Sequence, residues 1–140
     1  MIQFKNRQSI QIRFSDIDLM GHVSNTVYQV YYDSGRIAYF NEVLPDLDFK
    51  DIGVVSVSVN IEYYRPIFLK SKVYVESRCS KIGNKSFEME HRIVDQDNGE
   101  VYSTSKNTLV CFAIKEQQSI SIPQHWKENI MAYDEGVECR

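Results

Sequence analysis

The sequence predicts an α+β domain in which a five-stranded antiparallel sheet curves around one long central helix. Three observations carry this. A period-two pattern at the start gives way to a long stretch of helical spacing, and four further strand patterns follow. Gly/Asn-containing tetra- and pentapeptides separate the later strands at hairpin distance. Finally, at 140 residues with 43% hydrophobic and 25% charged composition, the chain suits one compact unit, taken as a single domain over residues 1–140.

The first strand is expected over Ile10 to Phe14, with Ile10, Ile12 and Phe14 facing inward. A helix from Ser24 or Asn25 to about Val43 follows. Its apolar positions form two stripes, Val27, Tyr31, Gly35 and Ala38 beside Val30, Ile37 and Phe40, so burial on most sides is expected. Pro45 marks its stop. Gly35 costs about 1 kcal/mol of helix propensity relative to Ala, which implies close approach by a neighbouring backbone.

Val54 to Tyr64 then alternates, with Val55, Val57, Val59, Ile61 and Tyr63 on one face, and ends before Pro66. Strands over Lys72 to Ser80, Ser86 to Asp95 and Val101 to Ile114 complete a meander, with positive φ expected from Gly and Asn in both connecting turns. Pro123 opens a short helix, and the last residues read as frayed.

A formal charge of −3 with no dense Lys/Arg run argues against a nucleic-acid partner. The opening residues lack the apolar stretch of a signal peptide, and no run approaches the roughly 18 apolar residues that span a bilayer. A cytoplasmic protein with no membrane partner is therefore expected. Cys79, Cys111 and Cys139 are odd in number and lack C-x-x-C spacing, which reads as free thiols. His22, His91 and His125 fall on separate elements without ligand spacing, so neither a metal nor another cofactor is expected.

No G-x-S-x-G elbow, P-loop or G-x-G-x-x-G occurs, which leaves carboxylate chemistry at the strand-to-helix junction. Asp18 should hang beside the helix start, where it is either an ordinary dipole partner or a nucleophile or general base. Asp16, two residues earlier, points to the same side in an extended segment, and one of the pair is expected to be structural. His22 can orient the carboxylate or bind the substrate carbonyl. Val23 and Tyr28, next to the helix start, are candidate substrate contacts, while Arg65 and Lys85 are candidate cations for the phosphates of a nucleotide-bearing substrate.

The stretch from Arg13 to Tyr28, RFSDIDLMGHVSNTVY, followed by Tyr31-Tyr32 and Arg36, resembles the hotdog-fold acyl-CoA thioesterases of the 4-hydroxybenzoyl-CoA thioesterase type. The strand Asn60 to Ile67, the turn Ile82 to Phe87 and Ile122-Pro123 match in the family's order, so the resemblance spans roughly residues 8 to 123. It implies Asp18 as the catalytic carboxylate and a carbonyl-polarising backbone N–H at or near Asn25. It also implies an acyl-CoA substrate and a homodimer or homotetramer with sites at the subunit interface.

Two positions depart from the pattern. Leu69-Lys70 replaces a Gly-Asp common among such relatives, and Met20 stands where plant-type acyl carrier protein thioesterases place an Asn. An acyl-acyl carrier protein thioesterase, a hotdog dehydratase or hydratase, and a non-catalytic acyl-thioester binding module are the alternatives.

Overall fold

The computed structural model describes residues 2–140. Five strands, β1 (Asn6–Ile10), β2 (Ile52–Tyr63), β3 (Val73–Ile82), β4 (Ser86–Asp95) and β5 (Val101–Ala113), form an antiparallel sheet in the order β1-β3-β4-β5-β2. The two-residue strands β6 (Gln118–Ser119) and β7 (Glu138–Cys139) extend it on β5 and β3, so the described sheet has seven strands rather than five. Helix α1 (Asn25–Val43) packs across the sheet, and α2 (Gln124–Tyr133) closes one end. Among the described residues no helix is long and apolar enough to cross a membrane.

The N-terminal strand lies earlier than expected. Ile10 is its last residue, and Phe14 opens a short 3-10 turn with its ring 83% exposed. The alternation of Ile10 and Ile12 does continue as partly buried packing, but the chain turns at Phe14 because Asp16 folds back onto the amide of Arg13.

Helix α1 starts and stops where the sequence puts it, with Ser24 as N-cap and Leu44 as C-cap. Its buried face differs. Tyr28, Tyr31, Tyr32, Gly35, Tyr39 and Val43 follow helical spacing against the sheet, while Val30 and Ile37 remain about half exposed. Gly35 is explained by Val75 on β3: a Cβ built at Gly35 would sit 3.0 Å from the Val75 Cβ and closer still to its methyl. The close neighbour is thus a side chain rather than a backbone. Gly35→Ala should lower stability by about 1–3 kcal/mol through overpacking, despite the better helix propensity of Ala; a denaturant midpoint equal to or above wild type would contradict this packing.

Strand β2 breaks the expected alternation. A bulge between Ser56 and Ser58 shifts the register against β5, so Val54 and Ser56 fall in line with Val59, Ile61 and Tyr63, and on this edge strand Val55, Val57, Val59 and Tyr63 all stay exposed. Asn107 on β5 fits this bulge, donating from Nδ2 to Ser56 Oγ (2.6 Å) and the Ser58 carbonyl (3.0 Å). Arg36 donates to the other end of the same amide at 2.9 Å. Buried polar groups therefore separate two apolar clusters, one around Tyr39, Phe87 and Trp126, the other around Val23, Tyr28 and Ile67.

Only one of the two hairpin turns uses positive φ. Gly99 has φ +76°, whereas the Gly83 turn closes with ordinary φ through its amide on the Ser86 carbonyl (2.8 Å). The C-terminal segment is not frayed: the Asp134 carboxylate accepts the Cys79 amide at 2.9 Å where β1 leaves the β3 edge bare, and β7 pairs with β3 just beyond. Cys79 and Cys111 are buried free thiols, both pushed up to about 12 by burial, and Cys139 is an exposed free thiol.

Candidate active site

Residues 16 to 24 make a small loop whose two arms are tied to each other. Ser24 donates its amide to the Asp16 carbonyl (2.9 Å), Asp18 to the His22 carbonyl (3.0 Å) and Gly21 to the Asp18 carbonyl (3.0 Å), while Ile17 and Val23 form a bridge between the first two. Gly21 takes φ +87°, which explains a glycine at the tip. Leu19 and Met20 are fully or largely exposed there.

Asp18 is exposed, and its Oδ1 accepts the Met20 amide at 2.9 Å, the Asx turn natural to an Asp at this place. Among the described residues its other oxygen has no protein partner, and no hydrogen bond joins it to the His22 ring. His22 is half-buried with its ring edge-on to Phe68 at 6.4 Å.

The start of α1 is left open. Ser24 makes no side-chain cap hydrogen bond; its hydroxyl lies 3.1 Å from that of Thr26 instead. Val27 uses the Ser24 carbonyl, so among the described residues the amides of Asn25 and Thr26 have no acceptor. Unfilled N–H groups at the positive end of a 19-residue helix are suited to a developing oxyanion.

The first of these residues, Asn25, walls an open cleft of about 300 Å³ together with His22, Tyr28, Tyr63, Arg65 and Pro66. Tyr63, from the end of β2, donates to the Asn25 carbonyl (3.1 Å), and its ring stands edge-on to Tyr28 at 4.8 Å. Tyr28 reaches the Arg65 carbonyl at 3.4 Å, and burial raises its phenol above the ordinary value. Asp18 is not a wall of this cleft; it adjoins it through its backbone pairing with His22. A larger concavity, about 450 Å³, lies on the outer face of the sheet among Glu62, Glu90, Arg92 and Lys106. It offers no helix amides, and Arg92 is already held by Glu76 at 2.7 Å.

Of the candidate residues, His22, Asn25, Tyr28 and Arg65 wall one cleft, with Asp18 on the adjoining loop. Two expected substrate contacts, Val23 and Lys85, lie away from it within the protomer. The Val23 side chain is wholly buried in the core and its amide donates to the Ile67 carbonyl (2.8 Å), so neither faces the cleft. Lys85 lies in the β3–β4 turn, where its carbonyl accepts the Cys111 amide, whereas the cleft's Tyr63 pairs with Ser103. Eight residues of β5 separate these points, roughly 25 Å at the rise of an antiparallel strand. Tyr63 is a wall residue that is not among the sequence-expected site residues; its hydroxyl on the Asn25 carbonyl ties the end of β2 to the helix start.

Arg65 is engaged with Glu100 at 2.6 Å, but both side chains are about half exposed. Such surface pairs contribute about 0–1 kcal/mol, so a phosphate can displace the carboxylate.

An antiparallel sheet packed on a helix whose first residue walls an aromatic cleft is the fold of a thioesterase-like protein. The chain belongs to the thioesterase-like superfamily, whose family model matches residues 12–130. It is 24% identical over 123 residues to the long-chain acyl-CoA thioesterase FadM of Escherichia coli (strain K12), covering 86% of this chain and 93% of that protein. A thioesterase from Thermus thermophilus, complexed with coenzyme A and Zn, is 32% identical, with a TM-score of 0.78 and coverage of 90% of this chain and 91% of that one. The PA5185 protein of Pseudomonas aeruginosa, at 22% identity, shares the fold with a TM-score of 0.86 over 97% and 96% of the two chains. Among the described residues no cluster of three or more His, Cys, Asp or Glu could hold a metal ion.

Proposed function

We propose that this protein hydrolyses an acyl-CoA thioester to a carboxylate and free CoA. The observation that carries this is the pair of unfilled amides at the helix start, at Asn25, which walls the cleft, and at Thr26 beside it, next to the loop that presents Asp18. The thioester carbonyl binds with its oxygen toward these amides. Asp18 either attacks the acyl carbon, giving an anhydride that water cleaves, or removes a proton from the water that attacks; CoA leaves as the thiolate. Amide donors of this kind contribute about 2.7–4 kcal/mol to the transition state because they meet charge that develops only there. His22, on the cleft wall one backbone pairing from Asp18, orients the acyl group or the attacking water.

CoA as the thiol component is supported by the coenzyme A in the related Thermus structure and by Arg65 at the cleft edge. Arg65→Ala should raise KM for an acyl-CoA several-fold while leaving KM for the matching acyl-pantetheine thioester unchanged, since only the former carries the nucleotide phosphates; equal effects on both would argue against a phosphate contact.

The working unit is proposed to be a dimer or a tetramer. Among the described residues strand β2 is hydrogen-bonded on one side only, to β5, and it exposes Val55, Val57 and Val59 along its length. A long apolar edge strand is a pairing surface unless it is covered, and a second copy covers it by antiparallel extension of the sheet. Because Asn25 and Tyr63 meet at the end of β2, that copy also walls the open side of the cleft. Mass measurement in solution by light scattering tests this, with a strict monomer at micromolar concentration as the contrary result. Hydrolysis itself is tested by thiol release from a panel of acyl-CoA thioesters of varied length and aromaticity; no turnover on any member would favour the binding-module alternative.

A further inference from the structure

The loop that presents Asp18 is fastened to α1 by a second carboxylate. Asp16, the first residue of that loop, is buried, 2% exposed. Its Oδ2 accepts the Tyr31 hydroxyl at 2.7 Å and the Arg13 amide at 3.0 Å, and its Oδ1 accepts the Arg13 guanidinium at 3.1 Å. Burial alone would raise this carboxyl, but the hydrogen bonds from Arg13 and Tyr31 outweigh it and hold Asp16 below the ordinary carboxylate range. The same residue accepts the Ser24 amide through its backbone carbonyl.

Asp16 therefore grips α1 at two points: the N-cap through its main chain, and Tyr31, nearly two turns further on, through its side chain. Beside the Ile17–Val23 bridge and the Val23 amide on the Ile67 carbonyl, these two contacts add a constraint on the rotation of the loop about the helix. The loop needs this, because its tip, with Leu19 and Met20 exposed, gains no packing of its own.

We propose that Asp16 and Tyr31 form a positioning clamp that sets the Asp18 carboxylate relative to the open amides of Asn25 and Thr26. This rests on the catalytic reading of Asp18. Neither clamp residue meets the substrate; they act by holding the carboxylate in the geometry that its attack, or its proton transfer from water, requires. A misplacement of about 1 Å in such a geometry can cost about 10²-fold in rate.

The test measures kcat, KM and Tm for Asp18→Asn, Tyr31→Phe, Asp16→Asn, Asp16→Ala and the Asp16→Ala/Tyr31→Phe double variant. Tyr31→Phe keeps the buried ring and removes only the hydroxyl. At a temperature where it is fully folded, its kcat should fall about 10- to 100-fold with KM little changed. The double variant should be no slower than the slower single one, because both break the same contact. Asp16→Asn, which keeps an acceptor for Tyr31, should be less impaired than Asp16→Ala.

A lowered Tm with kcat unchanged would make the contact merely structural and overturn the clamp. Should Tyr31→Phe not fold, full kcat in folded Asp16→Asn together with Asp16→Ala would overturn it equally. Wild-type kcat in Asp18→Asn would instead refute the catalytic reading beneath it, whereas an inactive Asp18→Asn beside a fully active Tyr31→Phe would refute the clamp alone.

Discussion

Asp18→Asn is expected to lower kcat for thioester hydrolysis by about 10²- to 10⁴-fold, the range spanned by loss of a positioned base. The substitution is nearly isosteric, and its side-chain oxygen still accepts the Met20 amide, so the Asx turn survives. Asp18 is exposed, and surface changes of this kind usually stay within about 0.5 kcal/mol of wild-type stability. A folded, inactive variant therefore reports on chemistry. Because the asparagine can neither attack as a carboxylate nor take a proton from water, KM should change far less than kcat. Thiol-release kinetics with melting temperature measured in parallel check this, and a folded variant at wild-type rate would remove Asp18 from the mechanism.

The second large effect concerns stability against acid. His91 on β4 is 2% exposed beneath α1, with Nδ1 2.7 Å from Ser77 Oγ, Nε2 without a partner among the described residues, and the ring 5.7 Å from that of Tyr32. Burial, and then the Arg36 charge, push its pKa down to about 3 from an ordinary value of 6.5. Between those values the unfolded chain holds a proton that the folded chain refuses. The contribution is therefore fully present above pH 6.5 and is lost as pH falls toward 3, with a limiting slope of about 1.4 kcal/mol per pH unit.

Three carboxyls complicate the raw profile. Asp134, raised by burial, contributes in the opposite sense, its share being lost as pH rises above the ordinary carboxylate value of 3.8; Asp16 and Asp95, both held low by hydrogen bonds, matter only below that value. The difference between wild type and His91→Asn isolates the imidazole. The variant, which keeps a polar partner for Ser77, should be less stable at pH 7 because a cavity is left, yet lose this acid limb between about pH 6.5 and 4.5. Urea midpoints across that interval test it, and parallel profiles would show that His91 does not set the acid sensitivity.

The junction was legible in sequence because its constraints are local. Asp18 can make its turn with Met20, Gly21 must follow a left-handed path, and Ser24 begins a helical period, all within one short loop. Helix boundaries and the antiparallel meander were legible for the same reason. The inner face of β2 was not. Period-two alternation assumes an unbroken ladder, and the bulge at Ser56 and Ser58 depends on Asn107, some fifty residues away, to satisfy its polar groups.

The helix face was misjudged for a related reason. Tyrosines count as only moderately apolar, so Val30 and Ile37 looked like core, although Tyr28, Tyr31, Tyr32 and Tyr39 bury their rings by placing each hydroxyl on a partner: the Arg65 carbonyl, Asp16, Ser103 and Asp134 respectively. The division of labour between the two aspartates follows from the same contacts. Asp16 is enclosed by donors, and Asp18 faces solvent.

The most direct measurement is the infrared carbonyl band of a carbon-13-labelled acyl-CoA thioester bound to Asp18→Asn, where turnover is slow enough for the complex to be observed. If the Asn25 and Thr26 amides polarise the carbonyl, the band should move to lower frequency than that of the free thioester. A bound thioester whose band stays at the solution position would mean that the helix start does not receive the carbonyl oxygen.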